Sequence, residues 1–201
     1  MSEFPEAALL SSGCNGDVFT YTEETVLKSL VIDDFDVETL QRWETFEGDL
    51  EPSEVLSLQW ANTINDLVIN YKSHILFEEE GCIIAMERVY PCIPTAFSRG
   101  EIEAALIVAD KQLNDLWSSG WSHGDLKRPS HLARNSELQD VLYNNIVLTK
   151  VKDRCVIRLI DCGCSLLEQY DNLDQMEVEL AKDMLNWQDF KEWILNYPRQ
   201  H

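Results

Sequence analysis

Arg158-Leu159-Ile160-Asp161-Cys162-Gly163 is the stretch on which the reading of this 201-residue chain turns. The near-continuous apolar run from Cys155 to Ile160 ends in a carboxylate, and glycine follows two residues later. A charge at the end of a buried strand is costly unless it is paired or sits on a metal. Asp161 therefore reads as a metal ligand. Just upstream, Asn145-Ile146-Val147-Leu148 and a turn through Lys150–Asp153 make this run the second arm of a hairpin. Asn145, at the start of the first arm, would offer a neutral oxygen to the same hard cation. Further back lies His123-Gly124-Asp125-Leu126-Lys127, where Asp125 sits on a loop after a long helix. A carboxylate so placed can accept or orient a hydroxyl proton.

That helix spans 98–118. Ser98 caps it, Glu101 completes a capping box, and Ile102, Leu106, Ala109, Leu113 and Leu116 keep helical spacing up to Gly120. A second amphipathic helix is expected from about Gln175 to Asn196. The first half reads differently. Residues 1–28 suggest two strands, punctuated by Gly13 and Gly16, with Lys28 closing an apolar Val26-Leu27 run. Residues 33–52 are acidic and expected to be irregular or weakly helical. Pro52-Ser53-Glu54 then opens a helix with Ser53 as its cap. Strands follow at Ser73–Phe77 and Cys82–Val89, and Tyr90-Pro91-Cys92-Ile93-Pro94 forms a hinge, because proline cannot continue a ladder. A sheet-rich half thus precedes a helical one.

The net charge of −20 and 45% hydrophobic content describe a globular chain with an acidic surface. Without a basic stripe to neutralise phosphates, neither nucleic acid nor an anionic membrane is an expected partner. Six cysteines, several inside apolar runs and without metal-site spacing, suit reduced thiols. No secretory leader or membrane span is apparent, so a soluble protein of the cytoplasm is expected.

Taken in order, these segments resemble the protein-kinase superfamily across nearly the whole chain. Ser11-Ser12-Gly13-Cys14-Asn15-Gly16-Asp17-Val18 is similar to the glycine-rich loop, with Ser11 in place of the first glycine. Val26-Leu27-Lys28 resembles the strand whose lysine holds the α- and β-phosphates, and Glu54 is the glutamate chosen to pair with it. Met86-Glu87-Arg88-Val89 looks like the hinge strand whose backbone holds adenine. His123–Lys127 resembles the catalytic loop with Gly124 replacing arginine, which makes Asp125 the candidate base; Lys127 is of the serine/threonine type. Asn145 resembles the metal-binding asparagine, Asp161-Cys162-Gly163 the Asp-Phe-Gly motif, and Asp183 the buried aspartate that braces the catalytic loop.

Two departures stand out. Asn145 lies twenty residues after Asp125, which implies an insertion from roughly Lys127 to Tyr143 relative to the family; a rival alignment puts His131 in the asparagine position. Only residues 162–201 follow Asp161, and no Ala-Pro-Glu motif occurs among them. The resemblance implies a single two-lobed α+β domain, 1–201, with an antiparallel N-lobe sheet (about 1–91) and a truncated helical C-lobe (about 92–201). It further implies ATP and Mg2+ as cofactors and a protein substrate, phosphorylated on a serine or threonine hydroxyl, for which the acidic charge suggests basic character. The alternatives it leaves open are a pseudokinase that only binds nucleotide or a partner, and a small-molecule kinase of the aminoglycoside or choline type.

Overall fold

The computed structural model describes residues 8–13, 16–31, 42–44, 47–77, 81–126, 142–143 and 145–197. In chain order the elements are β1 (Leu9–Gly13), β2 (Gly16–Thr22), β3 (Thr25–Val31), β4 (Arg42–Glu44), β5 (Leu50–Pro52) and α1 (Ser53–Ile64). Then come β6 (Tyr71–Phe77), β7 (Gly81–Glu87), a single 3-10 turn at Pro94–Ala96, α2 (Arg99–Ser118) and β8 (Trp121–Ser122). The chain continues through β9 (Leu142–Tyr143), β10 (Ile146–Val151), β11 (Arg154–Leu159), β12 (Leu166–Leu167) and α3 (Leu173–Leu195).

Strands β1, β2, β3, β7 and β6 lie side by side, in that order, as one antiparallel sheet. Side chains alternate between the two faces of a strand. On β3, Val26, Lys28 and Leu30 share the buried face, so the lysine emerges inward among apolar neighbours. The helical half holds α2 and α3, with the β10–β11 hairpin beside them. The class is therefore the expected one: α+β, a five-stranded antiparallel sheet with one helix, followed by a shortened helical part.

A single apolar cluster runs through both halves, from Val26, Leu58 and Ile84 to Leu113, Leu159 and Trp187. The segment leaving α1 joins the halves directly. Leu159 donates its amide to Leu67 (2.9 Å) and accepts from the amide of Ile69 (3.0 Å). This short parallel bridge ties the exit of α1 to the strand that leads to Asp161.

Helix α2 carries the expected capping box in full: Ser98 Oγ accepts from Glu101 N–H while the Glu101 carboxylate accepts from Ser98 N–H. Several expectations need correction. The N-terminal region contains three strands up to Val31 rather than two up to Lys28. Within 33–52, β4 and β5 form a small antiparallel pair where irregular or weakly helical chain was expected. Ser53 is the first residue of α1, not its cap; Pro52 holds the cap position without a side-chain bond, since the chain arrives in extended form from β5. Strand β7 ends at Glu87 rather than Val89, and the turn between β10 and β11 narrows to Lys152 and Asp153, both at positive φ. Helix α3 begins at Leu173, two residues early, because Asn172 caps it through the amides of Asp174 and Gln175.

Candidate active site

Lys28 is 3% exposed, and its ammonium bridges two carboxylates: Glu54, with both oxygens at 2.8 Å, and Asp161 Oδ1 at 2.6 Å. Burial by itself would depress the lysine, but Glu54 and Asp161 outweigh it and hold Lys28 above its ordinary range. For Glu54, in the first turn of α1, burial pushes the carboxyl up and Lys28 offsets this only in part. For Asp161 the balance is reversed: burial acts upward, but Lys28 prevails and holds the carboxyl below the usual carboxylate range. One ammonium faces two carboxylates, so the cluster has a formal excess of one negative charge. The excess lies toward solvent, since the Asp161 side chain is 46% exposed while those of Lys28 and Glu54 are 4% exposed.

Asp161 adopts a left-handed backbone conformation (φ 59°), as does Asn145 (φ 68°). For residues with a Cβ this conformation carries strain of the kind that clusters at functional sites. The two sit across the open end of the β10–β11 hairpin, where Ile160 N–H donates to the Asn145 carbonyl at 2.9 Å. The Asn145 side-chain amide donates to the carbonyl and to Oδ2 of Asp125, each at 3.1 Å. Asn145 thus stands between Asp125 and the Asp161 segment, despite the intervening insertion. His131 and Lys127 lie outside the described residues.

The loop that carries Asp125 is anchored from below. Asp183 on α3 is 1% exposed, and its Oδ2 accepts from Ser122 Oγ (2.8 Å), His123 N–H (2.7 Å) and Gly124 N–H (3.2 Å). His123, fully buried, connects this loop to the strand end, with its Nε2 2.9 Å from the Ile160 carbonyl. Its Nδ1 lies 3.3 Å from the amide of Asp125. A carbonyl only accepts and an amide N–H only donates, so both bonds together require the neutral ring with its proton on Nε2.

Gly124 is conformationally required. Its φ is +73°, and a Cβ there would lie 2.2 Å from the Cys164 carbonyl oxygen. The backbone after Asp161 therefore packs directly on the loop, in the space an arginine side chain would need. Gly16 is confined in the same way, with φ +129° and the Ser29 carbonyl 2.0 Å from a would-be Cβ. It pairs with Gly13 at the mouth of the β1–β2 hairpin, and Val18 pairs with Lys28 on the next strand. Cys14 and Asn15 lie outside the described residues. At the end of β7, the Glu87 carboxylate accepts from the Asn70 side-chain amide (2.8 Å), while the amides of Glu87 and Arg88 donate to the carbonyls of Asn70 (2.8 Å) and Glu24 (3.1 Å). Val89 is half-buried against the core.

Some partners had no signal in the sequence. Arg158 is buried, donates to the Asp66 carbonyl and lies 3.5 Å from the Asp66 carboxylate, clamping the segment after α1 onto β11. His74 links Glu51 (2.8 Å) to the Tyr71 hydroxyl (2.7 Å), joining β5 to β6 just before Glu54. These residues are separated along the chain and have no characteristic spacing, so only the fold brings them together.

The residues present suit a magnesium ion. Among the described residues no group of three or more His, Cys, Asp or Glu side chains is placed to hold a metal. Magnesium needs fewer, because it keeps several waters and takes one or two carboxylates together with phosphate oxygens. Asp161 would offer such a carboxylate on the side of excess negative charge. Asn145, whose amide nitrogen is committed to Asp125, would offer its amide oxygen.

No family model matches the chain, and no curated protein matches it. Among solved structures it is similar to the kinase PK-1 of the Cydia pomonella granulovirus, at a TM-score of 0.49 and 14% identity over 81% of this chain. The match spans 55% of that protein's chain. No helix among the described residues is long and apolar enough to cross a membrane.

Proposed function

We propose that the chain is a kinase-like phosphotransferase that uses ATP with Mg2+ to phosphorylate serine or threonine hydroxyls of a protein. One observation carries this reading: a buried lysine held by Glu54 and aimed at Asp161, with Asp125 joined to the same cluster through Asn145. A lysine so held is a fixed positive charge, ready for phosphate oxygens. Glu54 keeps Lys28 from swinging away. Gly13 and Gly16 let the β1–β2 hairpin come close over phosphates without a Cβ in the way. The main chain from Glu87 to Val89 holds the adenine edge, and Val18 covers the base. Asn145 and Asp161 hold the cation. Asp125 orients the acceptor hydroxyl and takes its proton. Bound Mg2+ and ATP supply the transferable phosphoryl group and neutralise its charge. The chain's own contribution is positioning and fixed electrostatics.

The whole chain forms one two-lobed domain in this proposal, hinged between residues 88 and 93. The acceptor protein carries basic residues that suit an acidic surface. Cys155 and Cys162 are buried, as suits reduced thiols, and the proposed compartment is the cytoplasm.

The test combines nucleotide binding with label transfer. A fluorescent ATP analogue should bind in a magnesium-dependent way and lose affinity in Asp161→Ala. Transfer from radiolabelled ATP to a panel of basic proteins should fall by roughly a hundredfold or more in Asp125→Ala and Asp161→Ala. Binding with only background transfer in wild type would leave a nucleotide-binding module without activity. Label appearing on sugars or amines in preference to proteins would make the acceptor a small molecule. No binding at all would defeat the proposal.

A further inference from the structure

Helix α3 buries one side against the rest of the chain through Met176, Asp183, Trp187, Phe190 and Ile194. A helix packed on one side only is expected to be polar on the other. Here it is not. Val178 is 53% exposed and Leu185 69%, and Ala181 is exposed between them. At 100° per residue these three positions fall within about 60° of arc, opposite the buried row. Single apolar residues on a surface are ordinary, but a row at i, i+3 and i+7 is the spacing with which one helix engages another.

The border of this row is acidic. Asp174, Glu177, Asp189 and Glu192 flank it and are all exposed. The neighbouring cation, Lys182, is drawn 2.6 Å from Glu179. We propose that this outer face of α3 is a docking surface for a protein segment that presents an apolar row bordered by lysine and arginine. A second copy of the chain suits it poorly. Two-fold self-pairing would set the same acidic border against itself, on molecules that each carry a net charge of −20. The site is separate from Lys28 and Asp161, so it would recruit a partner without occupying the cleft.

Two synthetic helical peptides with the same leucine row at i, i+3 and i+7 test this, one bordered by lysine and arginine and the other by glutamate. Each is titrated by fluorescence anisotropy into the full chain and into the Val178→Ser/Leu185→Ser double variant, which keeps the charge and removes the apolar row. The basic-bordered peptide should bind wild type and weaken at least about tenfold in the double variant. The acidic-bordered peptide should not bind. Both positions are exposed, so thermal melts of the two proteins should coincide. Equal binding to wild type and double variant would mean charge attraction alone and overturn the proposal, as would no binding to a double variant and wild type that both fold. A wild-type dimer in sedimentation that the serines dissolve would place a second copy on this face and overturn the assigned partner. None of these measurements involves phosphoryl transfer, so their failure and the failure of the proposed activity are separately visible.

Discussion

Replacing Gly124 with alanine puts the packing of the Asp125 loop to a direct test. The new Cβ would lie 2.2 Å from the Cys164 carbonyl oxygen and 3.1 Å from its carbon, and real Cβ atoms essentially never come closer than 3.0 Å. Backbone stands on both sides of the contact, so no flexible side chain can give way, and one strand of chain must move by roughly an ångström. The left-handed conformation adds a cost of about 1–2 kcal/mol for any residue with a Cβ. Overpacking typically adds another 1–3 kcal/mol. The expected loss is therefore about 2–5 kcal/mol, a large part of the roughly 5–15 kcal/mol that holds a domain together. The displacement falls between the loop bearing Asp125 and the segment after Asp161, so nucleotide affinity should drop along with stability. Urea unfolding followed by tryptophan fluorescence measures the first, and titration of a fluorescent ATP analogue the second. Gly100→Ala on α2, with nothing within 4 Å of its Cβ, is the control and should shift stability by less than about 1 kcal/mol. If Gly124→Ala unfolds at the wild-type urea midpoint, the crowding argument is wrong.

Other expectations follow from the same geometry. Glu54→Ala strands a buried ammonium with only Asp161 beside it and should cost about 3 kcal/mol in denaturant melts, whereas Lys28→Met with Glu54→Leu removes both charges and should cost less. Lys28 has a raised folded pKa, so its contribution is complete below the lysine's ordinary value of 10.5 and fades as pH rises beyond it. Melting temperature against pH should show that alkaline decline in wild type and a shallower one in Lys28→Met. Asp183→Ala deprives Ser122, His123 and Gly124 of a shared acceptor, and at about 1–3 kcal/mol for each unmet buried donor the loss should reach about 3 kcal/mol or more. Hydrogen exchange should then show the amides of His123 and Gly124 losing protection; unchanged protection would mean another group holds that loop.

Much of the fold could be read from local signals. The capping box at Ser98 and Glu101 works within one turn, and it marked the start of α2 correctly. The apolar Val26-Leu27 run placed Lys28 on a strand, which the structure carries on to Val31 with the lysine facing inward. The region 33–52 misled because a two-stranded pair of three residues each is too short to show a period, and its acidic composition suggested irregular chain. The candidate site was partly legible for a different reason. Asp161, Asp125 and Asn145 are each conspicuous where they stand, as polar groups beside apolar runs or glycine. Their partners carry no such mark. Nothing near Gly124 announces that the Cys164 carbonyl, forty positions on, will deny it a side chain.

By itself the sequence determined the order of sheet and helices, the start of α2 that its capping box enforces, and the short set of charged residues worth suspecting. Periodicity and capping depend on neighbours within a turn or two, so they survive without any knowledge of the fold. Tertiary structure alone decided that Lys28, Glu54 and Asp161 share one cluster, that Asn145 reaches Asp125, and that Arg158 clamps Asp66. Electrostatic and steric contacts depend on distance in space, and residues far apart along the chain acquire a distance only when the core between them closes.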